Sequence, residues 1–241
     1  MAQAKVNSLV LRYADFSESS RMLTLFTLEQ GKLSASAKGC RRPKSALRPL
    51  SELYTLSELL LSGREGRWTL TGGSLIDPFY DLRMDYERLN AASVLAQIAN
   101  TVLPEEDPRP ALFGLMARCL GLLAHEKLSP ALVSAYFALR VLSLEGFSPN
   151  LANCSLCGAP ADDAPYFSLR EGGLLCAECA RTVPDAEKIT PGLLKTLRYL
   201  AAAEPDALTV FRLSPAVEAP LLDMAEAWLF AQLDRRISLR A

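Results

Sequence analysis

Residues 20–38 read SRMLTLFTLEQGKLSASAK, two short runs rich in Leu, Thr, Phe and small side chains on either side of Glu29-Gln30-Gly31. Runs of this length and composition fit strands, and a brief polar turn ending in Gly joins them as a hairpin. The flanking sequence repeats the pattern: 5–13 (KVNSLVLRY) before the hairpin, then 52–62 (ELYTLSELLLS) and 67–76 (RWTLTGGSLI), separated by Gly63–Gly66. Five short strands predict a small closed β structure, and an OB-type barrel is the usual five-stranded solution. Gly72-Gly73 is followed by no phosphate-binding helix and reads as a bend or bulge in the last strand.

The texture changes near Asp77-Pro78. From Tyr80 to Leu103 apolar residues recur at threes and fours, which is helical spacing, and LPEEDPRP then breaks the chain. A second helix is expected over 109–125. Ser129-Pro130, Thr190-Pro191 and Ser214-Pro215 each combine a capping hydroxyl with a Pro suited to a first turn, and predict helices starting at 130, at 191 (to about 203) and at 215 (to about 236). The expected organisation is an OB barrel over 1–80 and an all-α domain over 81–241, interrupted by a cysteine segment at about 150–182.

The net charge of −1 gives no global reason to bind a polyanion, but its distribution does. Residues 1–80 hold 11 basic and 7 acidic residues, whereas 81–241 hold 15 basic and 20 acidic. The cations concentrate in KGCRRPKSALRPL, 38–50, where Lys38, Arg41, Arg42, Lys44 and Arg48 meet no carboxylate. A solvated loop is the plain interpretation of any charge run. Here Pro43 and Pro49 stiffen the stretch, and it connects strands three and four of a barrel type whose grooves often hold single strands. Contacts to nucleic-acid phosphates are therefore the favoured expectation, with Arg12, Arg21 and Lys32 on the preceding strands adding charge. Tyr13, Phe16, Phe26, Tyr54 and Trp68 belong mainly to the core, with Tyr13 and Trp68 the candidates for stacking on bases.

Cys154-x-x-Cys157 is followed after 18 residues by Cys176-x-x-Cys179. Two tight turns of this kind can surround one tetrahedral Zn²⁺ with four thiolates, and YFSLREGGLL between them reads as a hairpin that returns the second pair to the first. Redox pairs, buried thiols and a site that has lost its metal are the competing interpretations. Four protein ligands leave no open position for water, so such a zinc braces a fold and does not catalyse. Catalytic motifs are otherwise lacking: there is no Walker loop, G-x-S-x-G elbow or H-E-x-x-H. The single histidine, His125, sits at a helix end, and Glu105, Glu106 and Asp107 read as a solvated interhelical turn, with a Mg²⁺-dependent nuclease as the alternative they leave open. No N-terminal signal or membrane-length apolar run is seen, so a cytoplasmic location is expected.

YADFSESSRMLTLFTLEQGKLSASAKGCRRPKS (13–45), LEGFSPNLANCSLCG (144–158) and GGLLCAECA (172–180) together resemble the RecO family of bacterial recombination mediators. The likeness runs along nearly the whole chain in one order of barrel, helices and four-cysteine insert. It implies an N-terminal OB domain, a helical C-terminal domain and no enzyme active site. It also implies binding of single- and double-stranded DNA, annealing of complementary strands, and cooperation with RecR to help RecA replace the single-strand-binding protein SSB. Some members lack the zinc cysteines, whereas this chain keeps all four. The family places a pocket for the SSB tail on the helical domain; Arg118, Arg140 and Arg198 are the candidate rim cations, and the bacterial nucleoid is the expected place of work. The other class left open is an interaction scaffold whose barrel binds a protein such as RecR and whose basic loop meets an acidic protein surface.

Overall fold

The computed structural model describes residues 2–64, 66–161 and 165–240. The turn expected over 63–66 includes Glu65, which lies outside the described residues.

β1 (Ala2–Ser17) is long enough to serve two neighbours. Its first half pairs antiparallel with β4 (Leu56–Arg64), and from Ser8 onward it pairs with β2 (Ser20–Thr27), with a register shift between Val10 and Arg12 where the strand bends. β2 continues through the Gly31 turn into β3 (Gly31–Ala37), and β5 (Arg67–Asp77) closes the barrel by pairing antiparallel with β4 and parallel with β3. The order β1-β2-β3-β5-β4 is a closed five-stranded barrel. Its interior is the period-two set Val6, Val10, Leu23, Leu25, Leu33, Ala35, Leu59, Leu61 and Leu70, all buried. Each such Leu contributes about 1.5–3 kcal/mol relative to an exposed one. Beside Gly72-Gly73 the β4–β5 register shifts between Leu60 and Leu61, and a Cβ on Gly73 would stand 2.3 Å from the Glu58 carbonyl, so the bend needs glycine.

The helix expected from residue 80 is broken into a 3-10 turn, Tyr80–Met84, and α1 (Tyr86–Val102). Asp85 adopts an extended backbone and its carboxylate accepts the Arg88 N–H, so the α-helix begins there and not earlier. α2 (Pro110–His125) follows. Residues 1–127 form one compact unit that joins α1 and α2 to the barrel. The physical reason is the barrel's outer face. Leu9 and Phe26, paired across β1 and β2, point away from the barrel interior yet are fully buried, and Phe113 of α2 packs edge-on to Phe26 at 5.3 Å. Arg83 adds a bond from Nη2 to the Leu53 carbonyl at 2.6 Å.

Residues 128–241 form the second unit. α3 (Pro130–Leu144), α5 (Pro191–Ala202) and α6 (Pro215–Leu233) start at the three hydroxyl-Pro pairs; Ser129 and Thr190 cap with their side chains, whereas Ser214 makes no such bond. Between α3 and α5 lie β6 (Tyr166–Ser168), β7 (Gly173–Leu175), the short α4 (Ala177–Ala180) and β8 (Glu187–Lys188), with β6 central in a three-stranded sheet. Trp228 of α6 holds this insert, donating Nε1–H to the Phe147 carbonyl at 2.8 Å and packing edge-on to Phe167.

Candidate nucleic-acid interface and metal centre

The basic stretch is a built loop. Cys40 and Leu50 are buried in the barrel core and Leu47 packs against it. Between these anchors the backbone turns on itself: the N–H groups of Arg42, Ser45, Arg48 and Ser51 bond the carbonyls of Gly39, Arg42, Ser45 and Arg48. Arg41 N–H bonds the Ser19 carbonyl, tying the loop to the β1–β2 turn. Cys40, Leu47 and Leu50 face inward, and Lys38, Arg41, Arg42, Lys44 and Arg48 are all exposed. Arg41 is paired with Asp15 at 3.1 Å. Lys38, Arg42, Lys44 and Arg48, with the exposed Arg12 on β1, have no side-chain partner among the described residues.

Two of the expected cations are placed otherwise. Arg21 is only 14% exposed; it pairs with Glu52 at 3.1 Å and Asp15 at 3.5 Å, bonds the Ser51 carbonyl, and lies 3.8 Å over the Tyr13 ring. Burial alone would lower its pKa, but the Glu52 charge outweighs this and raises it, so the cation is held by internal partners. Lys32, 13% exposed, runs out from the barrel to Glu105 at 3.3 Å and the Asn100 carbonyl at 3.4 Å. Both side chains brace the barrel unit and drop out of the surface set, because residues 49–52 and 100–105 cover positions that strand alternation alone would leave to water.

Among aromatics, Tyr54 and Phe26 are buried, and Tyr13 and Trp68 are partly buried against the barrel core. Phe16, one of the aromatics that the sequence assigns mainly to the core, is 72% exposed. It sits at the β1–β2 turn next to Ser17, whose carbonyl accepts Arg41 Nη1. The sequence signal that marks it is its setting in DFSESS, a polar turn with no apolar neighbour.

The acidic triad disperses. Glu105 takes Lys32, Glu106 Oε1 accepts the Gly66 N–H at 3.1 Å, and Asp107 takes Arg109 at 2.9 Å. The backbone here lies along β3, with Glu106 N–H on the Lys32 carbonyl, and a Cβ on Gly31 would stand 2.2 Å from the Asp107 carbonyl oxygen. His125 Nε2 meets Asp77 at 2.8 Å at the end of α2.

The four thiols converge. Cys154, Cys157, Cys176 and Cys179 place their sulfurs within 4.8 Å of one another, and Cys157 and Cys176 are 3.7 Å apart. A tetrahedral ion with bonds of about 2.3 Å to sulfur sets its ligands about 3.8 Å from each other, so the spacing fits such an ion. They are the only group of three or more His, Cys, Asp or Glu side chains among the described residues placed to hold a metal. The first pair lies on a turn closed by Gly158 N–H to the Cys154 carbonyl, and the second on α4. Gly173 lets β7 approach residue 150 where a Cβ would clash with the Asn150 carbonyl at 2.3 Å. Burial works against a thiolate at Cys154, but the N–H groups of Cys157, Cys176 and Leu156 outweigh it and bring the thiol down to about 6. Cys179 is pushed up to about 12, first by its hydrogen bonds with Cys157 and Cys176. Four sulfurs sharing protons in one small space are a donor set that a divalent cation would deprotonate and bridge. Asp185 secures the hairpin, accepting Ser168 Oγ at 2.9 Å and the Arg170 N–H at 3.0 Å.

The expected rim cations of the helical region are otherwise occupied. Arg140 bonds the Ala201 carbonyl, Arg198 bonds the carbonyls of Leu151 and Ala152, and Arg118 lies on α2 in the barrel's unit. A cleft of about 440 Å³ beside α6 has an apolar floor but is edged by Asp185, Glu187 and Asp223 with Lys188. That edge has the wrong sign for an acidic tail.

A five-stranded barrel displaying cations that have no side-chain partner among the described residues, followed by a helical unit with four thiols placed to hold a metal ion, defines a class of modular protein. The sequence matches the family model described as Recombination protein O N terminal over residues 1–79 and that described as Recombination protein O C terminal over residues 83–240. DNA repair protein RecO of Acetivibrio thermocellus is 32% identical over 98% of this chain and 94% of its own length. DNA repair protein RecO of Anaeromyxobacter dehalogenans is 34% identical over the whole chain and 95% of its own length, and that of Alkaliphilus metalliredigens 30% over 96% and 94%. The chain belongs to the recombination protein O family, a family of DNA repair and recombination mediators that are not enzymes. No helix among the described residues is long and apolar enough to cross a membrane.

Proposed function

We propose that this protein binds single- and double-stranded DNA through the exposed loop 38–48, anneals complementary strands, and with RecR promotes RecA loading onto SSB-coated single strands. The observation that carries the DNA contact is the set Lys38, Arg42, Lys44 and Arg48: exposed, unpaired among the described residues, and held on a loop pinned at Cys40 and Leu50. A pinned loop loses little conformational freedom when it meets phosphates. Two strands repel through their phosphates, and fixed cations lower that repulsion while leaving base edges free to pair. No covalent step is required of the protein. Phe16 supplies an exposed ring beside the cations on which a base can stack.

The metal in this reading is one structural Zn²⁺, supported by an all-sulfur donor set at tetrahedral spacing. RecR, the SSB tail and RecA enter through the family, and a cytoplasmic, nucleoid-associated location follows from those partners. The test is a fluorescence titration of labelled single-stranded DNA at several salt concentrations with the intact protein and with Arg41→Glu, Arg42→Glu and Lys44→Glu combined. A steep salt dependence that disappears in the variant supports the reading. Equal binding by both proteins overturns it and turns attention to the barrel as a RecR-binding scaffold, to be followed by pull-down.

A further inference from the structure

A cleft of about 520 Å³ lies in the barrel's own unit between β1 and α1, with Leu11 and Ala96 among its lining. Its polar groups are Arg12, Tyr13, Tyr54, Ser93, Gln97 and Asn100. The Arg12 guanidinium and the side-chain amides of Gln97 and Asn100 have no partner among the described residues. Tyr13 is fixed by Arg21 over its ring at 3.8 Å. Tyr54 is held in the left-handed region at φ 60°, a conformation that a bulky aromatic seldom adopts, by its N–H bond to the Val10 carbonyl at 2.8 Å. Arg41 of the basic loop is paired with Asp15, three residues along β1 from Arg12, a separation of about 10 Å along a strand.

The composition selects its occupant. One cation suits a single phosphate, where a backbone track would need several. Two unpaired amides suit a planar ring with donors and acceptors on its edge, the pairing Asn and Gln make with bases. The volume lies in the range of sites that enclose one small molecule. We infer that this cleft receives one nucleobase everted from a bound single strand, with Arg12 on the adjoining phosphate and Gln97 and Asn100 on the base edge. The inference rests on the reading that the barrel binds DNA. It gives that surface a preference for single strands, because a paired and stacked base cannot enter.

The test compares the intact protein with Gln97→Leu/Asn100→Leu on labelled strands of equal length and phosphate count, one carrying bases and one abasic. The intact protein is expected to prefer the base-bearing strand, and the variant to lose about tenfold of that preference, keeping only the part that stacking on Phe16 supplies, with an unchanged salt dependence. Gln97→Glu, on an exposed helical site that Glu suits, is the second variant and is expected to lose the same preference without loss of fold. The same base preference in the intact protein and in Gln97→Leu/Asn100→Leu, with binding of both strands lost in the Arg41/Arg42/Lys44 variant, overturns the base site and leaves the DNA reading standing. Binding of neither strand removes both. Binding of an acidic peptide with an apolar end to the intact protein, but not to Gln97→Leu/Asn100→Leu, without displacement of the base-bearing strand would overturn the inference and assign the cleft to a protein tail.

Discussion

The cations of the barrel and the thiols of the helical unit are organised in opposite ways. Four sulfurs converge within 4.8 Å and act as one group, whereas the exposed cations of loop 38–48 point outward and act one at a time. A convergent site fails when any member is lost. A dispersed one weakens in steps.

The largest expected effect is therefore on the thiols. Cys179→Ala should release the metal and lower the melting temperature of the helical unit. The stability cost should exceed about 2 kcal/mol, since zinc-finger sites bind with about 10–16 kcal/mol. Metal content and calorimetry check this, and DNA affinity should change little. Next comes Arg21→Ala, which strands Glu52 and uncovers Tyr13; about 1–3 kcal/mol of stability should be lost with no change in the salt dependence of DNA binding. Arg42→Ala should do the reverse, leaving stability intact and reducing the salt slope by about 0.7 for single strands. Arg41→Ala should reduce it less, because Asp15 already neutralises that side chain. Phe16→Ala should weaken binding of single strands about five- to tenfold at every salt concentration, since stacking releases no counterions.

The smallest effect is a pH dependence at Asp185. Burial works against its carboxylate, but the Arg170 N–H and Ser168 hydroxyl outweigh it and hold the folded value below the ordinary 3.8. Its contribution is thus present in full above that value and is lost as pH falls through the folded one. Asp185→Asn should flatten this part of the acid unfolding curve, read by fluorescence of Trp228, which packs on the same hairpin through Phe167.

The difference between the two sites also explains what could be read without coordinates. The C-x-x-C pairs are local signals: spacing fixes each turn, and the hairpin between them needs only its own Gly-Gly to return. The strands and the helix starts at Pro130, Pro191 and Pro215 are equally local, set by side-chain alternation, capping and the fixed φ of proline. Cation availability is not local. Arg21 and Arg12 both stand on barrel strands with alternating neighbours, yet one is half-buried against residues 51 and 52 and the other is open. Lys32 reads as a solvent-facing strand residue until the 100–105 segment arrives over it.

What the sequence determined by itself was the barrel strands, the helix starts, the convergent cysteines and the loop that carries the charge, because each depends on neighbours within a few turns or one hairpin. Tertiary structure alone decided which cations remain exposed without a side-chain partner, that Phe16 is exposed while Phe26 is covered, and that an amide-lined cleft lies beside Arg12. These depend on which helix docks on which outer face of the barrel, and that choice is made by buried area summed over the whole unit, which no short stretch of sequence contains.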